Sequence, residues 1–230
     1  WIGLCGQTHP QCRTGVSERL PTRVLDLGEP DGSVLVRLYE PPSGANARYV
    51  ALSYCWGQAG NLTTTTRTIA ARKTEISWAL LPKTFRDAVL IARGLGVRYL
   101  WIDSLCIIQD SPSDWEAEAA RMAEVHENAY MTIATDAAYD PTCGILKARQ
   151  SLEPVRRDPL QVLRPTDEIC VRRPLSHQDI IMPRVVRDST FPLLTRAWTL
   201  QERLLAHRTL HFTAFELIWE CKETLFCECQ

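Results

Sequence analysis

The chain has 230 residues, of which 45% are hydrophobic and 23% charged, with a formal net charge of −1. That length builds one or two domains with a real core, and the composition is that of an ordinary globular protein. The near-zero charge removes any general electrostatic case for nucleic acid or an anionic membrane as partner, and no apolar run reaches the length of a membrane-crossing helix.

The start at Trp1 carries no basic-then-apolar signal segment, and with no initiating Met the chain reads as a domain cut from something longer. Nine Cys, an odd number with several inside apolar runs, argue against a secreted disulfide framework and for the reducing cytoplasm. Residues 1–20 are polar and without clear period. Within them Cys5, His9 and Cys12 form C-x3-H-x2-C, compatible with three ligands of a tetrahedral zinc though not with standard finger spacing. Cys227 and Cys229, with Cys221 nearby, can complete such a site if the termini meet; the bland alternative is unrelated thiols.

Residues 23–27 and 33–39 flank the turn-forming Glu29-Pro30-Asp31-Gly32-Ser33 and read as a β-hairpin. Residues 49–54 are a buried-strand candidate running into Cys55-Trp56-Gly57. No period is readable over 58–81. Residues 82–95 form a helix with Phe85, Ala88, Val89 and Ala92 on one face, Pro82 at its start and Gly94 or Gly96 at its end. The next stretch, 97–110, is apolar until it breaks into Asp103, Ser104, Cys106, Gln109 and Asp110. It reads as a central parallel strand delivering a polar loop, and strand–helix–strand in this order implies a right-handed crossover. Cys106, between Leu105 and Ile107, reads as a packed thiol.

Ser113 to Glu116 has the pattern of a capping box and opens a helix to about residue 129, with Trp115, Ala119, Met122 and Val125 on its apolar face. His126 on that helix reads as a surface or boundary residue. Residues 130–135 are the next strand. From 136 to 189, with six Pro, the pattern weakens to an insertion holding at most short strands at 160–163 and 169–172. Thr195 can cap a helix to about 206, and 208–213 with 216–221 make a closing strand pair. On the last helix, Arg196, Thr199 and Arg203 share a face expected to be wet, with Ala197, Leu200 and Leu204 against the core. Trp198, Glu202 and Leu205 stack between these faces, and geometry alone favours a solvated edge for Glu202.

Three segments, YVALSYCWG (49–57), YLWIDSLCIIQD with DWEAEAARMAEVHENAYMTIAT (99–110 and 114–135), and LLTRAWTLQERLLAHRTLHF (193–212), resemble the three blocks of the fungal HET, or heterokaryon incompatibility, domain. LSYCWG and RAWTLQE are in turn similar to the first strand and the S-x-W-C-x-x-E-L segment of Toll/interleukin-1 receptor (TIR) domains. The resemblance implies an α/β fold with a TIR-like, flavodoxin-like central parallel sheet flanked by helices, an N-terminal β-hairpin and a β-containing insertion. It implies a single domain over 1–230: a flank (1–48), a βαβαβ core (49–135), the insertion (136–189), and a catalytic-type helix with closing strands (190–230).

In function, the resemblance implies a domain that triggers cell death when incompatible strains fuse. Glu202 takes the position that is catalytic in TIR domains that cleave NAD, with Trp198 the Trp before it; Gln201 and Arg203 beside the Glu and the long insertion depart from that pattern. NAD is then the substrate and Glu202 the group stabilising an oxocarbenium-like transition state. Trp56 and Trp198 are candidates to stack on a ligand ring. Ser53, Tyr54, Gly57, Asp103 and Ser104 are candidates to line the same sheet edge, Asp103 alternatively bonding loop N–H groups. Self-association and an upstream sensor or C-terminal regulatory region are the implied partners. The alternative is a non-catalytic module that signals by assembly.

Overall fold

A computed structural model describes residues 1–12, 17–28, 35–58, 61–147 and 191–228, together with two short paired strands at 153–154 and 170–171. The chain opens with α1 (Ile2–Thr8), a short helix that buries only Cys5, and a 3-10 turn (Pro10–Cys12). β1 (Val24–Asp26) and β2 (Arg37–Tyr39) pair antiparallel as the expected hairpin, whose turn lies outside the described residues. β3 (Tyr49–Ser53) is buried at all five positions, as its continuous apolar sequence requires of a strand covered on both faces. α2 (Ile69–Thr74) falls where no period was readable. It buries none of its six residues, so no amphipathic signal existed to be read.

α3 (Lys83–Gly94) buries Phe85, Ala88, Val89 and Ala92, and with them Asp87. That carboxylate accepts from Lys83 Nζ at 2.7 Å and from the backbone N–H groups of Ile145 and Leu146 at 2.7 and 3.0 Å, tying the helix to the chain beyond the core strands. β4 (Tyr99–Trp101) comes next and leads into α4 (Asp103–Cys106). α5 (Pro112–Ala120) is capped by Ser111, whose hydroxyl accepts from the Asp114 N–H, with Pro112 at the first helical position; the capping box expected from Ser113 is thus displaced by two residues. Asp114 is otherwise engaged, held by both oxygens to Arg23 at 2.6 and 2.7 Å. The helix breaks at Arg121, and α6 (Met122–Asn128) continues it. His126 is buried here, not at the surface, and burial pushes its pKa down to about 4.

β5 (Met131–Ala134) is also buried throughout. β6 (Glu153–Pro154) and β7 (Cys170–Val171) form a separate antiparallel pair within the insertion; β7 falls inside the strand expected at 169–172, and 160–163 lies outside the described residues. A 3-10 turn (Pro192–Thr195) precedes α7 (Ala197–Leu205), and the chain closes with β8 (Arg208–Phe212), β9 (Leu217–Cys221) and β10 (Leu225–Cys227).

Among the described residues the strands make one eight-stranded sheet, ordered β10-β9-β8-β5-β3-β4-β1-β2, and the separate small pair. Its centre is parallel, β4-β3-β5-β8, and its edges are antiparallel hairpins. The architecture is α/β, with a mostly parallel sheet flanked by helices. The order puts the carboxyl ends of β3 and β4 side by side at the middle, where an α/β sheet offers its crevice. No helix among the described residues is long and apolar enough to cross a membrane.

α7 is turned the other way from the sequence expectation. Thr199 is buried (6% exposed), with its hydroxyl donating to Leu193 O at 3.0 Å, and Arg203 faces inward to Glu220. Leu200 and Leu204 are 57% and 64% exposed. The inner face is polar because its partners are polar: hydrogen bonding there removes the penalty that normally drives Thr and Arg outward.

Gly57 is the tightest backbone position near the sheet edge. Its φ is +61°, and a Cβ there would stand 2.3 Å from Asp140 Cβ and 2.9 Å from Tyr139 O. Gly57→Ala therefore meets left-handed strain of about 1–2 kcal/mol as well as displacement of the 139–140 backbone. A fall in melting temperature of about 5 °C or more is expected by calorimetry; an unchanged value would show that the loop moves freely.

Candidate functional site

β3 ends in Ser53, and its continuation Tyr54-Cys55-Trp56 crosses the end of β4, where Asp103 opens α4. α7 lies over this edge and sends Glu202 down to Ser53, whose hydroxyl donates to Glu202 Oε2. The Trp56 indole N–H donates to Asp103 Oδ2 and the Ser104 backbone N–H to Oδ1, each at 2.6 Å. Asp103 thus both bonds a loop N–H, the common duty of an Asp in such a position, and faces the cavity. Its position is locked from below by Gln109, which donates to the Asp103 carbonyl at 3.2 Å.

The two carboxyl groups line one cavity of about 180 Å³, closed on its sides by Tyr54, Trp56, Trp115, Met122 and Trp198. Burial raises the pKa of Asp103 to about 6; the Trp56 bond opposes that rise and the neighbouring charge of Glu202 adds to it. Burial likewise raises the pKa of Glu202, opposed by the Ser53 bond and by the positive charge of Arg196. Glu202 is therefore not at a solvated edge. Two desolvated carboxyls in one apolar-walled cavity form the kind of perturbed pair found at sites that do chemistry.

Of the residues singled out in the sequence, Tyr54, Trp56, Asp103, Trp198 and Glu202 line this cavity, and Ser53 touches it through Glu202. Tyr54 is buried, accepts from Asn61 Nδ2 at 2.8 Å, and stands edge-on to Phe85; burial first, and then the charge of Asp103, keeps its phenol protonated. Gly57 and Ser104 do not line the cavity: Gly57 turns the chain under Asp140, and Ser104 is wholly buried. Arg196, Trp115 and Met122 do line it and carried no assignment in the sequence. Trp115 and Met122 looked like helix packing, and Arg196 like a solvated charge. Only the meeting of α5, α6 and α7 over the sheet edge reveals them.

Behind Glu202 lies a buried polar chain. His211 on β8 has Nδ1 2.8 Å from Asp136 Oδ2 and Nε2 2.9 Å from Glu220 Oε2, and Glu220 is gripped by Arg203 of α7 at 2.6 and 3.0 Å. Burial works against the imidazolium, but Asp136 and Glu220 outweigh it and raise its pKa to about 9. Burial also works against the Glu220 anion, but His211 and Arg203 hold it at about 2. The His211 contribution to stability is complete below its unfolded pKa of ~6.5 and is lost as pH rises through about 9. That of Glu220 is complete above ~4.3 and is lost as pH falls to about 2. The melting temperature should decline from pH 6.5 to 8.5, and decline less in Glu220→Gln. Parallel curves for the two proteins would remove the charge network from the account.

A second cluster joins the two ends of the described chain. Cys5, His9, Cys12 and Cys221 bring three sulfurs and an imidazole nitrogen within 4.8 Å of one another. Cys221 Sγ lies 3.3 Å from His9 Nδ1. Burial, with Cys5 and Cys221 as close neighbours, drives the Cys12 thiol up to about 12. Such a crowd of thiols and imidazole can hold a metal ion. The fourth member is Cys221 rather than Cys227, which is disulfide-bonded and packs beside Ile218; Cys229 lies outside the described residues. Cys5, Cys12, Cys55, Cys106, Cys143 and Cys221 are free. Around the cluster Arg208 donates to Cys12 O at 2.6 Å, the Gln11 N–H donates to Glu223 Oε1 at 2.7 Å, and Lys222 donates to Leu204 O at 2.6 Å, at the carboxyl end of α7.

A family model described as "Heterokaryon incompatibility protein (HET)" matches residues 49–202, from the first residue of β3 to the glutamate of α7. No curated protein and no solved structure matches the chain. The matched segment spans well over half of the sequence and contains both carboxyls of the cavity, and the chain belongs to the heterokaryon incompatibility (HET) family.

Proposed function

We propose that the domain hydrolyses the bond between nicotinamide and ribose in NAD, and that it does so when self-associated, as the cell-death effector of an incompatibility response. The observation that carries this reading is Glu202 held by Ser53 beside Asp103 in a desolvated cavity walled by indoles. The reaction needs little else. Nicotinamide leaves with the electron pair of the C1′–N bond, which cancels the pyridinium charge, so no acid has to protonate it. The positive charge that develops on the ribose is met by the Glu202 carboxylate, whose effect is largest where water is excluded. Water adds at C1′ and gives up a proton, leaving ADP-ribose and free nicotinamide. The test is nicotinamide release from NAD by the concentrated protein, compared with Glu202→Gln.

A second reading, a non-catalytic assembly module, is favoured by the outer face of α7, where Leu200 and Leu204 are exposed. Both readings share self-association; they part at NAD. Wild-type protein that is assembled and yet releases no nicotinamide decides for the second.

The Cys5–His9–Cys12–Cys221 cluster takes a structural zinc. Three thiols and one imidazole supply four protein ligands, the number that fills a structural zinc site and leaves no position for water. Zinc analysis of protein never exposed to chelator is the direct check.

A further inference from the structure

We infer that Arg196 is the phosphate-reading residue of this cavity, so that the site takes a nicotinamide nucleotide, carrying a 5′-phosphate, in preference to the bare nucleoside. The inference rests on the nicotinamide-cleaving reading and deepens it. A cavity of about 180 Å³ is below the ~300 Å³ at which pockets begin to enclose a whole drug-sized ligand. Only one end of a dinucleotide fits inside. Because the proposed cleavage needs Glu202 beside C1′, that end is the ribose with its nicotinamide, and the 5′-phosphate points away from Glu202.

The mouth presents a problem of charge. Asp103 and Glu202 both lie in the lining, and either one ionised repels a phosphate. Arg196 is the one cation lining the cavity among the described residues. It is close enough to favour the charged form of Glu202 and to act on Cys55, and it has no ion-pair partner among the described residues. Arg23, Arg37 and Arg203 are each paired to a carboxylate, Asp114, Asp26 and Glu220, and none of them lines the cavity. A guanidinium lining the same cavity as two acids, in no ion pair among the described residues, suits the paired oxygens of a phosphate. Trp115 and Trp198, both half or more exposed, flank the same opening and offer faces for the part of the ligand beyond the phosphate.

The experiment compares NAD, nicotinamide mononucleotide and nicotinamide riboside as substrates of the whole chain. In parallel, it measures their binding to Glu202→Gln by tryptophan fluorescence. The expected result is a preference for the mononucleotide over the riboside that Arg196→Gln reduces about tenfold or more, with the loss in KM, and that Arg196→Lys partly restores. A preference unchanged by Arg196→Gln, or a loss equal for both compounds, overturns the inference. If no compound is cleaved, the hydrolase reading falls by itself. Binding then decides for Arg196, which is overturned if the mononucleotide binds Glu202→Gln no more tightly than the riboside does.

Discussion

Glu202→Gln is expected to lower nicotinamide release by about a thousandfold, the scale on which removal of one preorganised electrostatic group acts, while the domain becomes no less stable. The two outcomes have one cause. Glu202 is desolvated, its pKa is raised, and the fold therefore disfavours its charged form. A raised carboxyl pKa means that the unfolded chain gives up its proton first, so stability is lost as pH rises through the interval between the two values. At neutral pH the wild-type protein bears that cost; the neutral amide does not. Gln also keeps an oxygen that accepts from Ser53, so the cavity wall is preserved. A variant that is folded, at least as stable and inactive is the signature of a group kept for chemistry at the expense of stability. If release persists in Glu202→Gln, the carboxylate is structural and the catalytic reading is wrong. If the variant loses both activity and several degrees of melting temperature, Glu202 serves the fold and the activity measurement says nothing about its role.

How much the sequence could disclose depends on where the energy lies. β3 and β5 are buried at every position, so their apolar runs announced them. α3 buries one stripe, and its period of 3.6 residues was legible for the same reason. The orientation of α7 was not legible, because the assumption that leucines face in and arginines face out fails where Arg203 meets Glu220 and His211 in the interior. Glu202 was found through its neighbours in the family pattern and not through helix geometry, which pointed to solvent. The cavity itself needed three helices and a sheet edge to meet, and such long-range juxtaposition leaves no local trace. Arg196 is the clearest case: its meaning comes from lining the cavity beside Glu202 and Asp103, and no sequence displays that. The fourth member of the Cys/His cluster stayed open among Cys221, Cys227 and Cys229 for a similar reason. Three cysteines within nine positions are indistinguishable until the pairing of β9 with β8 carries Cys221 back to the start of the chain.

Removing the proposed zinc from the Cys5–His9–Cys12–Cys221 cluster should lower the melting temperature by about 10 °C or more, and should lower activity in the same samples. The cluster ties the first twelve residues to the closing hairpin through Cys221. α1 is seven residues long, buries only Cys5, and has no side-chain cap; a helix so short does not hold itself together in water. What fixes it is the cluster, with Arg208 on Cys12 O and the Gln11–Glu223 bond at its rim. Lys222 carries the effect toward the site. It comes directly after Cys221 and donates to Leu204 O, at the end of the helix that holds Glu202. Free of metal, three thiols and an imidazole crowded within 4.8 Å leave buried polar groups poorly satisfied, and the flank should detach before the sheet melts. Chelation and then readdition of zinc should therefore remove and restore both the high-temperature transition and nicotinamide release. Cys221→Ser should behave as the chelated protein does, while substitution of Cys143, a partly exposed cysteine outside the cluster, should not. Protein purified without chelator that contains well under one zinc per chain, with a melting temperature indifferent to chelator, would leave the four residues as a packed thiol cluster and remove the metal from the fold.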